Sequence, residues 1–161
     1  MEEQTHLRRR PLERDGSRWL IDRWNNLQRA LQERNYVMTM LAIAIGAAIG
    51  ANLRYTLSIW AAQQWGTTFP YGTMVINVVG SLAIGFVLAL GTTRLAIGVP
   101  WRLLIVTGLL GGFTTFSTFS YETYELVVSG SWLAAGLNIL ASVGLGLVGV
   151  FLGVSLARLL S

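Results

Sequence analysis

The chain has 161 residues, twelve Arg and no Lys against eight acids, no Cys and one His. Eight Arg and six acids fall in residues 1–36, while residues 37–161 hold only Arg54, Arg94, Arg102, Arg158, Glu122 and Glu125. So few charges cannot cover the surface of a water-soluble domain, which places residues 37–161 in a membrane. The lack of Cys excludes disulfide frameworks, iron–sulfur clusters and thiol catalysis. His6 lies in the polar segment, so no intramembrane histidine base is available.

In chain order, residues 1–36 form a polar, Arg-rich extension without the apolar h-region of a signal peptide. Arg8-Arg9-Arg10-Pro11 reads as extended and solvated, and Asp15-Gly16-Ser17 offers a helix N-cap. Leu20, Trp24, Leu27 and Leu31 then fall on one stripe, with Arg18, Asp22, Arg29 and Glu33 opposite. Two readings stand: an amphipathic helix on the cytoplasmic membrane surface, or a loosely attached extension.

Four apolar spans follow in residues 37–161, at about Val37–Leu57, Tyr71–Gly91, Trp101–Val128 and Trp132–Leu156. Each reaches the roughly 20 residues that a helix needs to cross the hydrocarbon core. Trp60, Trp65, Trp101 and Trp132 lie near span ends, as interfacial aromatics do. The connections are short, at 66–70, Gly98-Val99-Pro100 and 129–131. The predicted fold is therefore an all-α membrane protein of four transmembrane helices, preceded by an amphipathic helix.

Small residues four apart, such as Gly46/Gly50 and Gly149/Gly153, suit close helix packing. INVVGSLAIG at 76–85 and LNILASVGLG at 137–146 share Asn-x3-Ser-x3-Gly, which suggests a duplicated two-helix hairpin. Asn77 and Asn138 each begin a polar or small stripe inside a span. Such a stripe can wall a pore or hold helices together by hydrogen bonds.

Span three carries the strongest local signal, GLLGGFTTFSTFSYETYE at 108–125. Gly111-Gly112 before Thr114-Thr115 is poor material for an unbroken helix, so a broken third helix is expected. A break frees carbonyls at membrane depth, where protein, water or an ion must satisfy them. Carbonyls of Gly111 and Thr114 are thus candidate Na+ ligands, against a plain kink satisfied by side chains. Phe113, Phe116 and Phe119 are three apart and interleaved with Ser117, Thr118 and Ser120. Such a stripe is either packing or a wall of positive ring edges and hydroxyls that meets a desolvated anion without fixed charge.

GAAIGANLRY at 46–55, INVVGS at 76–81, GGFTTFSTFSYE at 111–122 and LNILAS at 137–142 together resemble the Fluc/CrcB family of fluoride channels. The resemblance covers nearly all of residues 37–161. It implies a passive, fluoride-selective channel in the plasma (inner) membrane, which lowers cytoplasmic fluoride and is not an enzyme. It also implies an antiparallel dimer with a central structural Na+, held by backbone carbonyls that map to Gly111 and Thr114. Fluoride-path residues map to Phe116, Phe119 and Asn77, with hydroxyls at Ser117, Thr118 and Ser142. Glu122 and Arg54 map to vestibule positions. One feature departs from an equal two-way insertion. With the N-terminus inside, inner segments carry Arg18, Arg23, Arg29, Arg34, Arg94, Arg102 and Arg158, and outer segments only Arg54. The partner is then either a second copy or an oppositely oriented paralogue. The alternatives are a proton-coupled exporter and a non-transporting membrane assembly protein.

Overall fold

The structure, a computed structural model, describes residues 16–93 and 99–160. His6, Arg8-Arg9-Arg10-Pro11, Asp15, Arg94 and Gly98 lie outside the described residues. The elements in order are α1 (Gly16–Trp65), α2 (Tyr71–Thr93), α3 (Val99–Arg102), a π-helical stretch (Leu103–Leu110), α4 (Gly111–Phe113), α5 (Phe116–Val128) and α6 (Trp132–Leu159). Four helical segments are long and apolar enough to cross a membrane: Ile21–Trp65, Tyr71–Gly91, Val99–Val128 and Trp132–Leu159. The chain divides into two compact units, Met1–Val37 and Met38–Ser161.

Three boundaries differ from the sequence expectation. The amphipathic segment and the first span, expected as successive helices, form one continuous helix from Gly16. The first helix runs on past Leu57 to Trp65. Hydropathy locates the part that matches hydrocarbon, whereas the helix itself stops where Gly66 takes φ +77° and its N–H closes on the Ala62 carbonyl at 2.9 Å. Val99 and Pro100 belong to α3 rather than to a connection, because a proline in the first helical turn has no intrahelical N–H bond to lose.

The second unit is packed through small side chains. Its most deeply buried residues include Ile76, Ala61, Ala135, Ala157 and Asn138. Large apolar residues such as Leu133, Leu140 and Phe151 are more than 70% exposed, as befits side chains whose solvent is lipid. Lipid tails are as apolar as leucine, so helix contact rests on close backbone approach and polar bonds rather than on hydrophobic burial. Helices α2 and α6 meet this way. Gly146 faces Ser81, Gly149 faces Val78 and Leu82, and Gly153 abuts the Leu82 carbonyl. The partner positions rise together along both helices, so α2 and α6 run parallel. The glycine end of each Asn-x3-Ser-x3-Gly stripe is thus spent on helix packing, since Gly85 also approaches the Val150 carbonyl.

Candidate functional site

The third span is broken, and the break falls at Thr114 and Thr115. Gly111 is still helical (φ −64°, ψ −37°), whereas Thr114 (φ −81°, ψ 159°) and Thr115 (φ −153°, ψ 113°) are extended. Glycine lowers helix stability by only about 1 kcal/mol. The pair Gly111-Gly112 therefore does not itself interrupt the helix.

What holds the break open is Asn77 on α2. Its Nδ2 donates to the Thr115 carbonyl at 3.1 Å, and its Oδ1 accepts from the Thr115 N–H at 2.9 Å. A carboxamide has the donor–acceptor pattern of a peptide, so one side chain satisfies both backbone groups of a residue outside any helix. Thr115 in turn caps α5: its Oγ1 accepts from the Thr118 N–H at 3.2 Å and donates to Thr118 Oγ1 at 2.9 Å. Thr114 leans back on the last residue of the π-helical stretch, with both its N–H and its hydroxyl donating to the Leu110 carbonyl at 3.0 Å. Its methyl occupies the space that a Cβ on Gly80 would need.

These bonds have a consequence for two carbonyls. In a continuous α-helix the Gly111 carbonyl would accept from the Thr115 N–H, and the Thr114 carbonyl from the Thr118 N–H. The first of those N–H groups is taken by Asn77 and the second by the Thr115 hydroxyl. Both carbonyls are deprived of their helical partners at membrane depth.

A cleft of about 340 Å³ lies at the break. Of the residues singled out in the sequence it brings together Gly111, Thr114, Asn77, Phe116, Phe119 and Ser142. Its lining also includes Ser81 and Thr115 and contains no charged side chain. The two phenylalanines differ: Phe119 is 8% exposed and Phe116 78%, with ring centroids 5.6 Å apart. Buried Asn138 does not line the cleft but ties it to α5. Ser142 Oγ donates to Asn138 Oδ1 (3.3 Å), Asn138 Nδ2 to Thr123 Oγ1 (2.8 Å), and Thr123 Oγ1 to the Phe119 carbonyl (2.7 Å).

The remaining site residues lie elsewhere. Thr118 and Glu122 line a second cavity of about 540 Å³, together with Thr73, Ser58 and Glu125. Glu122 Oε1 accepts from Thr73 Oγ1 at 2.8 Å, and Oε2 is buried with no hydrogen-bond partner among the described residues. The Thr115–Thr118 hydroxyl pair joins the linings of the two cavities. Ser117 is exposed, 3.4 Å from the Thr115 hydroxyl, and half-buried Arg54 on α1 lines neither cavity.

The sequence alone assigned no site role to Thr115, Thr73 or Thr123. The first was legible as a hydroxyl residue heading the helix after a break, which is the N-cap preference. Thr73 precedes Asn77 by one turn and so shares its helix face, and Thr123 has no such signal. Removing the cap with Thr115→Val should cost about 1 kcal/mol. Differential scanning of the detergent-solubilised protein checks this: a melting temperature at or above that of the unaltered protein would contradict the capping role.

The sequence also matches known proteins. Residues 41–154 match the family described as CrcB-like protein, Camphor Resistance (CrcB). A protein of Roseiflexus sp. (strain RS-1), named fluoride-specific ion channel FluC, is 70% identical over 123 residues, which cover 76% of this chain and 99% of that protein. A namesake from Chloroflexus aurantiacus (strain ATCC 29366 / DSM 635 / J-10-fl) is 58% identical over 119 residues, 74% of this chain and 94% of that protein. Another, from Clostridium perfringens (strain 13 / Type A), is 40% identical over 124 residues, 77% and 97% of the two chains.

Proposed function

The chain belongs to the CrcB family, and from that premise we propose that it is a multi-pass plasma-membrane channel that lets fluoride leave the cytoplasm passively. The observation that carries the reading is the uncharged cleft at the break, whose lining brings two phenylalanine rings together with hydroxyl and amide side chains. Fluoride is small and strongly hydrated, so a path across the membrane must replace its water with donors. A fixed cation would hold the ion too long, since conduction needs weak and multiple sites. Asn77 offers its second Nδ2 hydrogen, because one is committed to the Thr115 carbonyl. Ser81, Thr115 and Ser142 add hydroxyls that can rotate between protein and ion. Phe116 and Phe119 add positive ring edges that need no counter-charge. Thr118 and Ser117 extend the hydroxyls beyond the cleft, and Glu122 and Arg54 belong to the approaches.

The driving force needs no energy source. Hydrogen fluoride is neutral and crosses the bilayer, and fluoride released inside is trapped. An inside-negative potential of 100 mV favours exit by about 2.3 kcal/mol, roughly a 50-fold gradient. Efflux from liposomes should therefore follow voltage and be indifferent to a proton gradient at zero voltage. Flux that requires the proton gradient would favour the proton-coupled alternative.

The carbonyls of Gly111 and Thr114 are the candidate ligands of a structural Na+. Their fit rests on the loss of both helical N–H partners, which leaves two oxygens of the kind a small hard cation takes. Bound Na+ supplies positive charge at the break. The ligands are backbone atoms, so Thr114→Ser should keep flux within about threefold, a change of less than 1 kcal/mol. Severe loss in a folded Thr114→Ser protein would assign the role to the side chain instead.

Exposed Phe116 and Gly111 leave one wall of the cleft at the protomer surface. An antiparallel partner would complete that wall. The arginine asymmetry favours an oppositely oriented paralogue as partner, and a second copy of this chain serves if the asymmetry is overridden. Flux from the purified single chain distinguishes the two.

A further inference from the structure

We propose that Asn138, which does not line the cleft, sets how firmly the cleft holds fluoride by withholding the proton of Ser142. The proposal rests on the channel reading above and deepens it. The two Asn-x3-Ser strings each place a serine on the cleft, Ser81 from α2 and Ser142 from α6. What becomes of the two hydroxyl protons differs.

In the first string the Oδ1 of Asn77 is taken by the Thr115 N–H, so it does not capture the serine one turn on. Half-buried Ser81 makes no side-chain hydrogen bond among the described residues, and its oxygen is open to the cleft. Its proton is free for an anion.

In the second string the direction of every bond is forced. The Phe119 carbonyl can only accept, so Thr123 Oγ1 gives it its proton at 2.7 Å. Thr123 must then accept from Asn138, which turns Nδ2 towards Thr123 at 2.8 Å and Oδ1 towards Ser142. An amide oxygen carries no proton, so Ser142 Oγ donates its own, at 3.3 Å. Ser142 therefore shows the cleft its lone pairs, which repel an anion. To act as a donor it must let go of Oδ1. Asn138 is only 1% exposed, and a buried acceptor left alone is costly. Ser81 is thus a standing donor and Ser142 a withheld one. The cost of releasing Ser142 keeps the ion's stay short, as conduction requires. Asn138 is a positioning residue, because it acts through Ser142.

The test is the fluoride dependence of efflux from liposomes that carry the purified protein. Asn138→Leu keeps the branched shape and removes the acceptor. The Ser142 hydroxyl can then turn to the main-chain carbonyl of residue 138, but that oxygen keeps its helical N–H when the hydroxyl leaves, so release costs less. The fluoride concentration at half-maximal flux should fall at least about fivefold, the low end of the penalty for an orphaned acceptor, and maximal flux should not rise. In a Ser142→Ala background the same change should move that concentration less than about twofold, because the residue through which Asn138 acts is gone. A merely structural role would lower the amount of active protein and leave the half-maximal concentration where it was. Asn138→Ala removes the acceptor without added bulk and makes the same test if the leucine variant does not fold. An unchanged or raised half-maximal concentration in a folded Asn138 variant would overturn the inference while the channel reading stands. So would an equal fall in the absence of the Ser142 hydroxyl. Unaltered protein that passes no fluoride would sink the channel reading and this inference with it.

Discussion

A chain carrying Asn77→Ala should lose fluoride conduction and a substantial part of its stability. The alanine leaves the Thr115 N–H and carbonyl without the single side chain that satisfies both. Each orphaned buried group costs about 1–3 kcal/mol, so the pair costs about 2–6 kcal/mol, less whatever water in the cleft recovers. The freed Thr115 N–H can then return to the Gly111 carbonyl, which closes the break and removes a candidate cation ligand. Flux should drop by at least about 100-fold, equivalent to about 2.7 kcal/mol. Asn77→Asp separates the two roles. It keeps an acceptor for the Thr115 N–H but turns a carboxylate oxygen towards the Thr115 carbonyl and towards the path of an anion. That variant should fold better than the alanine and still conduct poorly. Near-normal flux from folded Asn77→Ala would remove the amide from the account altogether.

The second large effect belongs to Gly50. A Cβ there would collide with the Leu109 carbonyl and lie 2.8 Å from the Phe113 N, and a Cβ on Gly46 would meet the Leu104 carbonyl in the same way. Ordinary overpacking costs about 1–3 kcal/mol because side chains can turn aside. A backbone carbonyl in the π-helical stretch cannot, and separating the helices opens the segment that leads into the break. Gly50→Ala should therefore fail to give a monodisperse, folded protein. Gly144→Ala is the control: it meets nothing within 4 Å in the protomer and replaces a glycine in a helix, so it should be neutral or slightly stabilising. Size-exclusion profiles of the two variants provide the comparison. Equal yields of folded protein would contradict the close approach of α1 to the third span.

The spans were legible because lipid demands a long apolar run, and that demand is local in sequence. The broken third helix was legible too, from Gly111-Gly112 followed by Thr114-Thr115. Its position was not. It depends on Asn77, 38 residues before Thr115, whose amide competes with helical bonds of similar strength. Asn77 and Asn138 start the same repeated string but part ways in the fold. One clamps the peptide of Thr115, while the other is buried between Thr123 and Ser142. The three-residue spacing of Phe116 and Phe119 could not reveal that one ring is buried and the other exposed, because the turn of α5 about its axis is set by its neighbours. Arg54 and Glu122 came from the resemblance, and neither lines the cleft at the break.

The central claim is a fluoride-selective path through this chain. The most direct test is to reconstitute the purified protein in liposomes and follow fluoride efflux with an ion-selective electrode. A K+ gradient with valinomycin sets the voltage, and chloride-loaded vesicles run in parallel. Rapid fluoride efflux with little movement of chloride is the predicted result. Chloride efflux as fast as fluoride, or no fluoride efflux from folded protein even beside an oppositely oriented relative, would contradict it.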